Sequence, residues 1–170
     1  MKSTKQLVYI GLFAALTCVA TISIQLPTPT GGYVHLGDGV VILSGILLGP
    51  AVGGLAAGIG SMLADILTGY FVFAPATLII KGLAAIVSGF LYQKAAQHLH
   101  RQLNIIISSA AAGVIVTGGY FIFEIFLKGF AIAVTGILSN ILQGVSGLIL
   151  ASILIPIFLK IPDFKTFRNV

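Results

Sequence analysis

At 170 residues, 58% of them hydrophobic and only 8% charged, and with a mean hydropathy of +1.12, the chain has too little polar surface to cover a water-soluble globule and belongs in lipid. A crossing takes about 20 apolar residues for a hydrocarbon core about 30 Å thick, so this length holds about five to seven spans with short connections and no separate soluble domain. The net charge of +5 does not point to nucleic acid, because Lys and Arg cluster at the ends of apolar segments and form no stripe with interleaved aromatics.

Breaks in the apolar pattern fall at Pro27 to Gly32, Gly49-Pro50, Thr68 to Pro75, Lys94 to Gln102, Lys128-Gly129 and Lys160 to Val170. They predict an all-α, single-domain bundle over 1–170 with six transmembrane helices, at roughly 7–25, 37–48, 51–68, 76–93, 104–127 and 131–159. The first segment follows Lys2 and Lys5, as a secretory signal would. It is long for a signal's apolar region, however, and Gln25 to Pro29 offers no small-x-small cleavage site, so it is read as a retained helix. Cys18, the one cysteine, lies inside it without a partner, which leaves no disulfide framework and no metal-ligand cluster. The second segment is short for a full crossing.

Placing the N-terminus in the cytoplasm puts Lys2, Lys5, Lys94, Arg101, Lys160, Lys165 and Arg168 inside, Lys128 outside and Lys81 within a span. That bias supports an even number of spans with both termini cytoplasmic. Glycines recur every four residues at Gly45, Gly49 and Gly53 and again at Gly54 and Gly58. Small residues at this period let helices approach closely in lipid, where apolar burial alone gives no drive to associate. The first helix has a similar groove at Gly11 and Ala15, with Ala14 and Cys18 beside it, suited to packing or to docking a partner protein.

A charge at mid-membrane costs roughly 2.5–3.5 kcal/mol on insertion scales, so Asp65, Lys81 and Glu124 each ask for a reason. Asp65 sits near the outer end of the third span, and Lys81 lies about 9 Å below the outer boundary at the helical rise. The two are candidates for a structural ion pair between spans three and four, or for direct ligand contact. Glu124 has Tyr120 one turn below it on the same face and Lys128 one turn above. Asn140 and Gln143 share a face of the sixth span, and two adjacent amides suit hydrogen bonding to a heterocycle or between helices.

Under one topology these groups fall in the outer half of the bilayer. They predict an outward-opening pocket between spans four, five and six, lidded by Pro27 to Leu36 with help from Tyr70 to Phe73. The candidate binding residues are Lys81, Glu124, Asn140, Gln143, Tyr120, His35 and Tyr70, with Tyr33 also in the lid. There is no P-loop, and no H-E-x-x-H, G-x-S-x-G or Cys/His cluster, so ATPase, protease, hydrolase and metal-enzyme readings have little support, and no cofactor is expected.

Tyr9-Ile-Gly-Leu-Phe-Ala-Ala-Leu16, His35-Leu-Gly-Asp-Gly39, Leu48-Gly-Pro50, Gly58-Ile-Gly-Ser-Met-Leu-Ala-Asp65, Gly69-Tyr70 and Ala74-Pro-Ala-Thr-Leu-Ile-Ile-Lys-Gly82 stand in this order. In this order and spacing, the chain resembles the S components of energy-coupling factor (ECF) transporters, in the riboflavin-transporter-like branch. The resemblance covers nearly the whole chain.

It implies a multi-pass subunit of a prokaryotic plasma membrane that binds a vitamin outside and topples to release it inside. A transmembrane coupling protein (EcfT-like) and two ATPase subunits (EcfA-like) would drive the cycle, and the subunit itself would be no enzyme. Family members meet the coupling protein through a small-x-x-x-small groove on the first helix, which here maps to Gly11 and Ala15 or to Ala14 and Cys18. Within the branch the nearest likeness is to hydroxymethylpyrimidine (thiamin precursor) or pyridoxine subunits, with pantothenate as an alternative that would prefer an unpaired Lys81. An autonomous ion-coupled carrier using Asp65 and Glu124, and a ligand-free scaffold, are the competing readings.

Overall fold

The computed structural model describes residues 2–28 and 30–162. Lys165 and Arg168 of the charge pattern lie outside the described residues, as does Pro29 of the lid. Six helices follow one another: α1 (Lys2–Ser23), α2 (Asp38–Leu48), α3 (Pro50–Leu67), α4 (Ala74–Ala95), α5 (Arg101–Lys128) and α6 (Phe130–Phe158). Between α1 and α2 the chain forms an antiparallel hairpin of two short strands, β1 (Gln25–Pro27) and β2 (Tyr33–His35), in which Leu26 faces Val34.

Five helices are long and apolar enough to cross a membrane; α2 is not. Its 11 residues rise only about 16 Å. Ten of them, all but Val40, are buried, because α2 packs against α1, α3, α4 and α6 at the centre of the bundle. A helix apolar all round belongs in a core. The outer faces of the long helices carry the opposite signature: Leu12, Val19, Leu138, Leu142 and Ile153 are exposed, as lipid-facing positions should be.

The glycine repeats are spent inside the bundle. A Cβ on Gly45 of α2 would lie 2.1 Å from the Ala85 carbonyl oxygen of α4, and one on Gly53 would lie 2.3 Å from the Ser44 carbonyl oxygen. Gly89 meets the Gly45 carbonyl in the same way. Backbone thus packs on backbone along α2, α3 and α4. The turn from α2 into α3 is made by Gly49 at φ 83°, a left-handed conformation that favours glycine, followed by Pro50 at the first helical position.

On α1 the two small-residue registers separate. Ala14 and Cys18 are buried, with Ala14 against Gly60 of α3, so they are unavailable to a partner. This corrects the expectation that either register was free to dock. Gly11 and Ala15 face outward, and among the described residues nothing beyond its own helix backbone and chain neighbours comes within 4 Å of a Cβ built on Gly11.

Candidate functional site: a closed polar pocket under the hairpin

Five segments wall a pocket at the hairpin end of the bundle. The hairpin contributes Thr28, Thr30, Tyr33 and His35; α3 and α4 contribute Asp65 and Thr77, with Phe73 just before α4. From α5 come Tyr120 and Glu124, and from α6 Gly136, Ser139, Asn140 and Gln143. The cavity among them is about 30 Å³. That is room for about two waters and not for an aromatic ring.

The hairpin is pinned over this space from several directions. The Tyr33 hydroxyl donates to Asp65 Oδ1 at 2.6 Å, and its ring packs on Tyr70 with centroids 4.5 Å apart. Burial, and then the Asp65 carboxylate, push the Tyr33 phenol above its ordinary range, so it remains a donor. Lys128 at the end of α5 donates to the Thr30 carbonyl. The His35 backbone N–H donates to Gln143 Oε1 at 3.2 Å, and His35 Nδ1 accepts from the Gly37 N–H at 2.9 Å. Desolvation, with help from the nearby Lys81 charge and against the pull of Asp38, lowers the imidazole to about 3, so His35 is neutral.

Directly beneath lies a network of buried charge. Lys81 forms a hydrogen-bonded ion pair with Asp38 Oδ1, and Gln143 Nε2 donates to Asp38 Oδ2 at 3.1 Å. The ammonium also lies 5.3 Å from the Tyr120 ring centroid, within cation–π range. Above it Thr77 and Tyr120 share a hydroxyl hydrogen bond of 2.9 Å.

This overturns the expected pairing of Lys81 with Asp65, and the reason is depth. Asp65 is two residues from the end of α3, about 3 Å from the top, whereas Lys81 is seven residues into α4, about 10 Å down. Asp38 opens α2, and that helix is about 11 Å shorter than the adjoining α3, so its first residue lies level with Lys81. Lys81 is fully buried and does not line the pocket, contrary to its expected place on the wall. Tyr70 is likewise absent from the wall and backs Tyr33 instead. His35, Tyr120, Glu124, Asn140 and Gln143 do line it. Asp38 was not among the expected binding or ion-pair residues, yet it is buried at the centre of this network. Asp65, expected either to pair with Lys81 or to meet the ligand, lines the wall.

Similarity to known proteins covers the same span as this fold. The family described as ECF-type riboflavin transporter, S component, matches residues 1–160. An uncharacterised protein of Pyrococcus woesei is 35% identical over 133 residues, covering 78% of this chain and 86% of that protein. The thiamine precursor transporter HmpT of Lactococcus lactis subsp. cremoris (strain MG1363) is 27% identical over 170 residues, covering 99% of this chain and 96% of HmpT. Among solved structures, the S component of a bacterial ECF transporter superposes with a TM-score of 0.66 over 93% of this chain and 97% of that one, at 18% identity, which speaks for the fold.

Proposed function

This chain belongs to the ECF-type riboflavin transporter S component family, and on that premise we propose that it captures hydroxymethylpyrimidine, a thiamin precursor, for an ECF importer. As an S component it is a multi-pass membrane protein and the substrate-binding subunit of a transporter. The pyrimidine cargo is supported by similarity to HmpT along the full chain. The observation that carries it at the site is the wall itself, where aromatic rings, two amides and two carboxylates surround one small space. Amides and carboxylates read the ring nitrogens and exocyclic groups of a heterocycle, and the rings stack on its faces.

Pyridoxine, another single ring with hydroxymethyl groups, is the nearest alternative. Pantothenate draws no support from this wall, because the cation its carboxylate would seek is held by Asp38.

In the proposed arrangement the protein lies in the plasma membrane of a prokaryotic cell with both termini cytoplasmic and the hairpin outside. The exposed Gly11 and Ala15 face of α1 meets an EcfT-like coupling protein, and two EcfA-like ATPases supply the energy. Titrating the detergent-purified, ligand-free protein with the pyrimidine should raise its melting temperature; ligand at 100 times its Kd stabilises by about 2.7 kcal/mol. Uptake into liposomes should require the coupling and ATPase subunits. Accumulation against a gradient by the purified protein alone would refute the assignment.

A further inference from the structure

Two carboxylates on the pocket wall each keep an oxygen unused. Asp65 is 3% exposed; its Oδ1 accepts from Tyr33, while its Oδ2 is buried and has no hydrogen-bond partner among the described residues. Glu124 is also 3% exposed, and its Oε2 is in the same condition. That oxygen reaches toward α6 at Gly136, where a Cβ would fall 2.5 Å from it. The absence of a side chain there gives the carboxylate its room.

Leaving a buried carboxylate oxygen unpaired costs the full desolvation of that group, so a fold that keeps two of them on one small cavity needs a compensating donor. Among the described residues no charged donor on the pocket wall supplies it. No Lys or Arg lines the pocket, Lys81 is held by Asp38, and Lys128 turns to the Thr30 carbonyl. His35 uses Nδ1 as an acceptor and so offers at most one N–H. The hydroxyls of Thr77 beside Asp65 and Thr30 beside Glu124 are neutral donors, so a positive charge on this wall must arrive with the cargo.

We infer that Asp65 and Glu124 act together as a paired receptor for a weakly basic heteroaromatic amine that carries neither phosphate nor carboxylate, a specificity that rests on reading the chain as a pyrimidine-capturing subunit. Amine and ring N–H groups donate charge-assisted hydrogen bonds to the two free oxygens, which are the strong kind. A phosphate or carboxylate on the same ring meets two like charges with no cation on the pocket wall, Lys81 and Lys128 standing behind it and already engaged by Asp38 and the Thr30 carbonyl. The transporter thus takes up the dephosphorylated compound and rejects its phosphate ester.

Calorimetric titration of the ligand-free protein in detergent tests this with four probes: 4-amino-5-hydroxymethyl-2-methylpyrimidine, its monophosphate, the analogue lacking the amino group, and pyridoxamine. Wild-type protein should bind the aminopyrimidine and lose about 100-fold or more with the monophosphate and with the deamino analogue, since a site built for donors rejects a ligand without them. Asp65→Asn and Glu124→Gln should each weaken aminopyrimidine binding about tenfold or more. The ligand-free melting temperature should hold or rise, because an amide removes a buried charge. Equal affinity for the monophosphate, or variants within twofold of wild type, overturns the carboxylate receptor while the pyrimidine assignment stands. Binding of pyridoxamine alone, weakened by the same two substitutions, keeps the receptor and overturns the pyrimidine assignment. Failure of all four probes to bind overturns both.

Discussion

Lys81 and Asp38 meet as an ion pair at the centre of the bundle, the lysine fully buried and the aspartate side chain 3% exposed. The pair joins α4 to α2, and Gln143 extends it to α6 and, through the His35 N–H, to the hairpin. Removing one partner leaves an uncompensated buried charge, which costs about 3–5 kcal/mol. Lys81→Met should therefore lower the melting temperature in detergent sharply, and adding Asp38→Asn should recover more than half of the loss. Additive losses in the double variant would mean that the two charges do not depend on each other.

Tyr33→Phe strips Asp65 of its hairpin donor. The expected cost to the ligand-free protein is about 1–3 kcal/mol, the penalty for an unsatisfied buried acceptor. Hydrogen exchange at residues 25–36 should quicken in the variant while α2 stays protected. Unchanged exchange there would show that the ring stack on Tyr70 alone holds the hairpin down.

His35 makes the stability of the lid depend on pH. Its folded-state value, about 3, lies below the ordinary imidazole value of 6.5, so between these limits the unfolded chain binds a proton that the native state refuses. Stability is then undiminished above about 6.5 and falls as the pH drops below it, by at most about 1.4 kcal/mol per pH unit. Melting temperatures measured from pH 7 to pH 5 should fall for wild type and stay flatter for His35→Asn, whose amide oxygen can accept from Gly37 in place of Nδ1. Parallel curves would place the titrating group elsewhere.

The two faces of α1 give opposite substitutions. Gly11→Leu enters open space and should leave folding and ligand binding unchanged while abolishing transport with the coupling and ATPase subunits. Ala14→Leu, buried against Gly60 of α3, should destabilise the subunit by about 1–3 kcal/mol through overpacking. A Gly11→Leu protein that still transports would remove this face as the docking surface.

The long spans were legible because a stretch of apolar residues the width of a membrane has few other uses, and Gly and Pro punctuate their ends. Glu124, Asn140 and Gln143 stood out because polar side chains are costly in such stretches. Asp38 did not. An acid at the start of an apolar segment looks like a solvated helix terminus, and only the differing lengths of α2 and α3 bury it. The Lys81 partner went wrong for the same reason: the depths of Asp65 and Lys81 in the sequence are compatible with pairing, but the shortness of α2 brings Asp38 level with Lys81. The α1 registers were ambiguous because Gly11 with Ala15 and Ala14 with Cys18 differ only by a rotation about the helix axis, which packing on α3 decides.

The brevity of α2 sets the capacity of the whole site. Eleven residues leave roughly half of a 30 Å crossing unoccupied on its axis, and that half is shared between the hairpin and the pocket it lines. One more helical turn before Asp38 would push into that shared volume by about 5 Å. Lengthening this one element would thus shrink the pocket with the five long helices left as a fixed frame, whereas trimming it would take away Asp38 and strand Lys81.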